Sequence, residues 1–202
     1  ITSQAVVIAG GPSARQFDWQ HIARHKGGLF GADRLQSYAT NDVYKEFTPD
    51  FLVIDNDRVE DVANSGFTSD NIVYAHSKAL LEHPGKFYLI PQDPNWNAGT
   101  LAAYMACFDG HKKIYIMGFD NIPEASVVNN VYAGTLGYSD TNSNIDINKW
   151  ISDTYKIMNT YTDVDFCMVL PKNKLIDIPK IYKQLVNFRT LDWRSFVIEA
   201  DL

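Results

Sequence analysis

The chain has 202 residues, with 18 Lys+Arg against 24 Asp+Glu and a formal charge of −6. Hydrophobic residues at 46% and charged residues at 21% are the composition of a globular protein and exclude a disordered or fibrous chain. The acid excess argues against a broad nucleic-acid footprint, which needs a basic face, and no apolar run reaches the roughly 18–20 residues that span a bilayer.

A chain of this length builds one sizeable core, so a single domain over 1–202 is expected. The opening ITSQAVVIAGG reads as a buried strand and not as a secretory leader, since no basic stretch precedes the apolar run. Cys107 and Cys167 lie in apolar stretches without a Cys-x-x-Cys or Cys/His cluster. A reducing, cytoplasmic compartment is expected, without structural zinc or a disulfide framework.

In chain order, Ala5–Ala9 is a continuous apolar run that ends in Gly10-Gly11-Pro12-Ser13, the signature of a strand buried on both faces. A short helix follows over Asp18–Ala23, then a second strand over Leu29–Ala32 ending at Asp33. Arg34–Tyr44 reads as helical or irregular. Phe51–Ile54 is a third strand, ending at Asp55-Asn56-Asp57, and Val59–Asn64 a helix. Ile72–Ala75 and Phe87–Ile90 read as the fourth and fifth strands. Asn97-Ala98-Gly99-Thr100 opens the clearest helix, which runs to about Asp109 and stops at Gly110. Ile114–Met117 is a sixth strand ending at Gly118-Phe119-Asp120. From Asn121 to Ile147 the chain is polar and without a period, as in a functional lid. A helix over Lys149–Asn159, a seventh strand over Phe166–Leu170 and a helix over Ile178–Leu185 follow; Val186–Leu202 has no clear pattern.

Strands alternating with helices imply an α/β, Rossmann-like three-layer domain with a mostly parallel sheet. Ligands of such sheets bind beyond the carboxyl ends of the strands. The residues that follow each strand are therefore the candidates. Gly10, Gly11, Pro12 and Ser13 offer a close backbone approach, turn amides and a hydroxyl to a phosphate, although a tight strand-to-helix turn needs the same residues. Asp55 and Asp57, at i and i+2, could hold Mg²⁺ beside a pyrophosphate, or cap the helix that starts at Val59. Asn97, Gly99 and Thr100 suit a phosphate, a ribose or a base edge at a helix N-terminus; simple capping by Asn97 is the alternative. Asp33, Gly118 and Asp120 would face the same crevice. His21, His25, His76, His83 and His111 read as solvated surface residues, with His76 the one able to reach the crevice.

VVIAGGPSA, PDFLVIDND and NAGTLAAYMACFDGHKKIYIMGFD together resemble, in order and spacing, one superfamily. It includes the bacterial sialyltransferases of glycosyltransferase family 42, the motility-associated glycosyltransferases and the archaeal 6-hydroxymethylpterin diphosphokinase-like domain. The likeness covers residues 4–120 well and 121–175 loosely. It implies that the first loop and the Asn97–Thr100 turn bind a nucleotide, CMP in the sialyltransferases. Two departures stand out. Gly10 or Gly11 replaces the Asn of the sialyltransferase loop, and no histidine follows His111 to act as the lid's general base. Tyr132, Tyr138 or a carboxylate such as Asp140 would substitute, with Asp120 beside them as a candidate catalytic group. Asp33, Asp55 and Asp57 lean toward the diphosphokinase side.

Three functions follow as expectations. The first is a sialyltransferase-like glycosyltransferase that uses a CMP-sugar or similar nucleotide-activated sugar and a glycan or small acceptor. The second is a Mg²⁺- and ATP-dependent diphosphokinase acting on a pterin- or thiamine-like substrate. The third is a non-catalytic nucleotide-binding domain.

Overall fold

Among the described residues, eight strands form one sheet in the order β5-β4-β3-β2-β1-β6-β7-β8, and every neighbouring pair is parallel. The computed structural model describes residues 2–24, 35–92, 95–120, 147–172 and 178–202. The strands are β1 (Gln4–Ile8), β2 (Gln36–Thr40), β3 (Phe51–Val53), β4 (Ile72–Ala75), β5 (Tyr88–Leu89), β6 (Lys113–Met117), β7 (Asp165–Leu170) and β8 (Phe188–Asp192). The described α-helices are α1 (Trp19–Arg24), α2 (Val59–Asn64), α3 (Ser77–Glu82), α4 (Ala98–Phe108), α5 (Ile147–Thr160) and α6 (Trp193–Glu199). None of them is long and apolar enough to cross a membrane.

Alternation along the strands sorts the core into two layers, because successive side chains leave opposite faces. Val6, Ile8, Leu52, Ile54, Val73 and Met117 pack with residues of α1, α2, α3 and α6. Ala5, Val7, Tyr38, Phe51, Val53 and Ile116 pack with α4 and α5. The α/β three-layer expectation therefore holds. α4 is buried along almost its whole length, Ala98 through Cys107. Its Ala and Gly residues let it lie close on the sheet, and α5 covers it from outside. Each large side chain such as Leu101, removed completely from water, contributes roughly 1.5–3 kcal/mol.

Strand order reverses at β1. Successive strands step one way from β1 to β5, and α4 then carries the chain back to β6 on the other side of β1. The β1/β6 boundary is thus the switch point of a doubly wound sheet, where the loops leaving the two strands diverge and open a crevice.

Two expectations need correction. Arg34–Tyr44 holds β2, followed by a 3₁₀ turn over Asn41–Lys45. Its Gln36, Ser37 and Thr40 are polar yet buried, so the hydrophobic pattern conceals a central strand. The strand expected at Leu29–Ala32 lies outside the described residues. The helix expected over Ile178–Leu185 is only a 3₁₀ turn at Tyr182–Gln184, and the patternless tail supplies β8 and α6.

Candidate functional site

The loops after β1 and β6 interlock at the switch point. The Ala9 amide donates to the Met117 carbonyl at 2.9 Å, and the Gly11 amide to the Gly118 carbonyl at 3.0 Å. This approach leaves no room for side chains. A Cβ on Gly11 would stand 2.2 Å from the Gly118 oxygen, and one on Gly118 would stand 2.2 Å from the Ala9 oxygen. Gly118 also has φ 71°, in the left-handed region.

The Asp120 carboxylate closes the same junction. Its Oδ2 accepts from the Ser13 amide at 2.6 Å, and its Oδ1 from the Ser13 hydroxyl. Both residues are buried. Asp120 thus occupies the amino end of the 3₁₀ turn Pro12–Gln16 with its own negative charge. The two Ser13 donors expected to face a phosphate are engaged by this side chain. Gly10 is partly exposed on the approach to the turn.

The N-terminus of α4 sits over this junction. Asn97 caps it, its Oδ1 accepting from the Thr100 amide at 3.0 Å. Gly99 packs so close that an added Cβ would lie 3.3 Å from the Ala9 Cβ and 3.5 Å from the Phe119 ring. The amides of Ala98 and Gly99 belong to the first turn, which no intrahelical carbonyl reaches. With the helix dipole they present partial positive charge toward the crevice. α5 fixes the entry: the Lys149 ammonium donates to the Asn95 carbonyl at 2.6 Å and to Asp153 Oδ2 at 2.5 Å, and the Thr100 and Thr154 hydroxyls bond at 3.0 Å. Trp150 packs on Phe119 with ring centroids 5.8 Å apart.

A second polar group lies along the same edge, at the ends of β2, β3 and β4. Asn41 has φ 47°, a left-handed conformation rare outside glycine. Its Nδ2 donates to Asp55 Oδ2 at 2.9 Å, and the Asp55 amide donates back to Asn41 Oδ1 at 3.0 Å. Burial raises the Asp55 carboxyl above the ordinary carboxylate value; the Asn41 amide lowers it, the Asp57 charge raises it, and His76 and Arg58 lower it. Parallel pairing of Val53 with Tyr74 brings Asp55 and His76, each two residues further on, to matching positions. His76 is buried, as is His111, which corrects the reading of both as solvated.

Asp57 is exposed. Among the described residues, the set of His, Cys, Asp and Glu side chains close enough to share a metal ion is Asp165, Cys167 and Glu199. It lies at the opposite edge, and the Arg189 guanidinium bonds to both of its carboxylates. The pair expected to hold Mg²⁺, Asp55 and Asp57, belongs to no such set. Asp33, Tyr132 and Tyr138 lie outside the described residues, as does the expected lid except for its last residue, Ile147, which begins α5. Sequence reasoning missed Asn41; an Asn directly after a buried strand, tolerant of the left-handed region, was its one signal.

No protein-family model matches the chain, and no curated protein matches it. Among solved structures, the chain is similar to the sialyltransferase CstII from Campylobacter jejuni in complex with the substrate analogue cytidine-5'-monophosphate, with 12% identity and a TM-score of 0.40 over 86% of this chain and 82% of that one. It is likewise similar to the same enzyme in complex with CMP-3FNeuAc, with 12% identity and a TM-score of 0.40 over 93% of this chain and 89% of that one. At that identity no residue role passes from one chain to the other.

Proposed function

We propose that this chain is a nucleotide-binding transferase that uses a nucleotide-activated sugar, of the sialyltransferase-like kind. The observation that carries the reading is the meeting of three elements at one edge of the sheet. The loops after β1 and β6 lock together through Gly11, Gly118, Ser13 and Asp120, and the N-terminus of α4 stands over them. Motif resemblance in the first 120 residues supports the choice of nucleotide.

In this reading the first-turn amides of α4 take the leaving phosphate, where fixed dipoles stabilise the charge that develops as the sugar–phosphate bond breaks. The electron pair of that bond stays on the phosphate oxygen, and the acceptor hydroxyl forms the new bond and passes its proton to the departing phosphate. Asp120, held by Ser13, offers its remaining lone pairs to hydroxyl groups such as those of a ribose. Asn41, Asp55 and His76 provide hydrogen-bonding groups further along the edge for the transferred sugar.

Titration calorimetry with CMP, CDP and ATP, each with and without Mg²⁺, tests this. Binding of a cytidine nucleotide without Mg²⁺ is the expected result. Absence of cytidine binding at millimolar concentration overturns the reading, and Mg²⁺-dependent ATP binding in its place selects the diphosphokinase. Binding with no transfer or hydrolysis of CMP-sugars leaves only the non-catalytic nucleotide domain.

A further inference from the structure

The indole of Trp150 carries a polar group beside the crevice that the proposed function does not use. Its Nε1 is buried and finds no acceptor among the described residues. An indole N–H only donates, and a buried donor without a partner is costly. Trp19 shows the ordinary outcome in this chain: its Nε1 donates to the Ala14 carbonyl at 2.7 Å.

The place of Trp150 follows from two helices that run side by side. α4 leads into β6 and α5 into β7, and both strands run parallel to β1, so both helices descend from the carboxyl edge toward the amino edge. The Thr100 and Thr154 hydroxyls bond at 3.0 Å and set the helices level with each other. Trp150 lies one turn before Thr154, about 6 Å nearer the crevice. Ala98 and Gly99 directly precede Thr100. The Trp150 backbone therefore stands just beyond the first turn of α4, in agreement with the bond from the Lys149 ammonium to the Asn95 carbonyl at 2.6 Å. Asp153, Thr154, Ile157 and Met158 are buried at helical spacing from Trp150, so it belongs to the inward face of α5. Side chains of a helix lean toward its N-terminus, which carries the indole out over the end of α4.

One ring joins the two helix ends. Phe119, in the loop after β6, would lie 3.5 Å from a Cβ on Gly99, and it packs on the Trp150 indole with centroids 5.8 Å apart. The two rings are tilted by 34° and not set edge to face, so the Phe119 face does not receive the indole N–H.

We propose that the Trp150 indole N–H donates to a phosphate oxygen of the ligand held at the first turn of α4. That this phosphate belongs to a nucleotide rests on the function proposed above; the missing acceptor on Nε1 does not. The phosphate then meets the amides of Ala98 and Gly99 from one helix and the indole of Trp150 from the other. All three donors are uncharged and keep their protons across the working pH range. Their bonds strengthen as negative charge grows on the departing phosphate.

The chain has four tryptophans, so the indole N–H signals of the ¹⁵N-labelled protein can be followed one by one by nuclear magnetic resonance. Inorganic phosphate, CMP and cytidine are titrated separately at constant ionic strength. The Trp150 indole proton is expected to move downfield with phosphate and with CMP, and to stay in place with cytidine. Trp150→Phe keeps an aromatic ring against Phe119 and removes the donor. It should weaken CMP binding about tenfold while leaving the thermal midpoint unchanged or higher, since a buried unpaired donor is gone. A lower midpoint with CMP affinity kept would make the indole a packing residue and overturn the inference. A Trp150 signal that stays in place with both anions overturns it too, and where CMP still binds, the function stands without it. Movement with phosphate in a chain that binds no CMP supports the donor and overturns the nucleotide. If Trp150→Phe does not fold, the titrations of the native chain still decide.

Discussion

The two edges of the sheet use polar residues in opposite ways. At the amino edge, where β1, β6, β7 and β8 begin, charges meet charges. Arg189 bonds to Asp165 and Glu199, Lys113 bonds to Glu199 at 2.9 Å, and the Tyr115 hydroxyl reaches Gln4 and Glu199 at 3.1 and 3.3 Å. At the carboxyl edge, Asp42 pairs with Lys45 at 3.0 Å and Asp153 with Lys149, but the two carboxylates nearest the strand ends of the crevice, Asp120 and Asp55, are held by neutral groups. Asp120 is bound by a serine amide and hydroxyl, and Asp55 by an asparagine and a backbone amide. Ion pairs fasten the last strand and last helix to the sheet; neutral donors fix carboxylates in place without cancelling their charge. That asymmetry is what a parallel sheet makes available, since its crevice opens only beyond the carboxyl ends.

The sharpest way to break the comparison is to put the same substitution on glycines at either edge. Gly118→Ala places a methyl group 2.2 Å from the Ala9 carbonyl oxygen and forces a positive φ on it. It should cost about 3–5 kcal/mol, or prevent folding altogether. Gly110, at the amino edge, has φ 90° but nothing within 4 Å of an added Cβ. Gly110→Ala should cost only the conformational penalty, about 1–2 kcal/mol. Urea unfolding of the two variants measures both, and equal losses would show that the carboxyl-edge junction is not tightly packed. Asp120→Ala comes next. It orphans a buried amide and a buried hydroxyl and should cost about 2–3 kcal/mol by the same measurement.

The sequence made the carboxyl edge more legible than the amino edge. Glycine pairs, Asp-x-Asp and Asn-x-Gly-Thr mark turns because their backbone demands are local. The strand positions were equally local wherever the run was apolar: β1, β3, β4, β6 and β7 lie within about one or two residues of their expected bounds. β2 was invisible because its buried polar groups find partners only after folding. Ser37 exchanges bonds with Asp50 at 2.9–3.0 Å, and Thr40 donates to the Ile8 carbonyl at 3.3 Å. His111 was misread for the same reason. Its partners are 73 and 109 positions away, and no window of sequence contains them. β8 and α6 likewise owe their place to Arg189, Asp165 and Glu199, whose pairing crosses three elements.

Smaller effects probe the electrostatics of each edge. Arg189, then Lys113, hold the Glu199 carboxyl down to about 2. A depressed folded value means that the contribution is present above the ordinary glutamate value of about 4.3 and is lost as pH falls toward the folded one. Glu199→Gln should therefore cost about 1 kcal/mol at neutral pH, reduced by solvent screening because the pair is partly exposed. The loss should shrink below about pH 4. Asp55 reverses the sign. Its folded value is raised, so its contribution is present at low pH and lost as pH rises through that value. Asp55→Asn should leave the chain as stable at neutral pH or more so, by up to about 1 kcal/mol, with the gain vanishing in acid. If both substitutions shifted stability in the same direction with pH, the two edges would not differ electrostatically.

The smallest expected effect separates contact from burial. Lys112 and Asp163 form a close ion pair at the amino edge, yet their side chains are 63% and 65% exposed. Holding two long, hydrated side chains together costs conformational entropy, and water and salt screen the attraction. Lys112→Gln should therefore leave the urea midpoint unchanged at physiological salt. The backbone at Lys112 keeps its own links, the amide donating to the Ser3 carbonyl at 2.8 Å and the carbonyl accepting from the Asp165 amide at 2.9 Å, so the substitution isolates the charge. A midpoint shift as large as that of Glu199→Gln would mean that net charge along the amino edge sets its strength. No shift, beside a clear one for Glu199, places that strength in the partly buried Arg189 network.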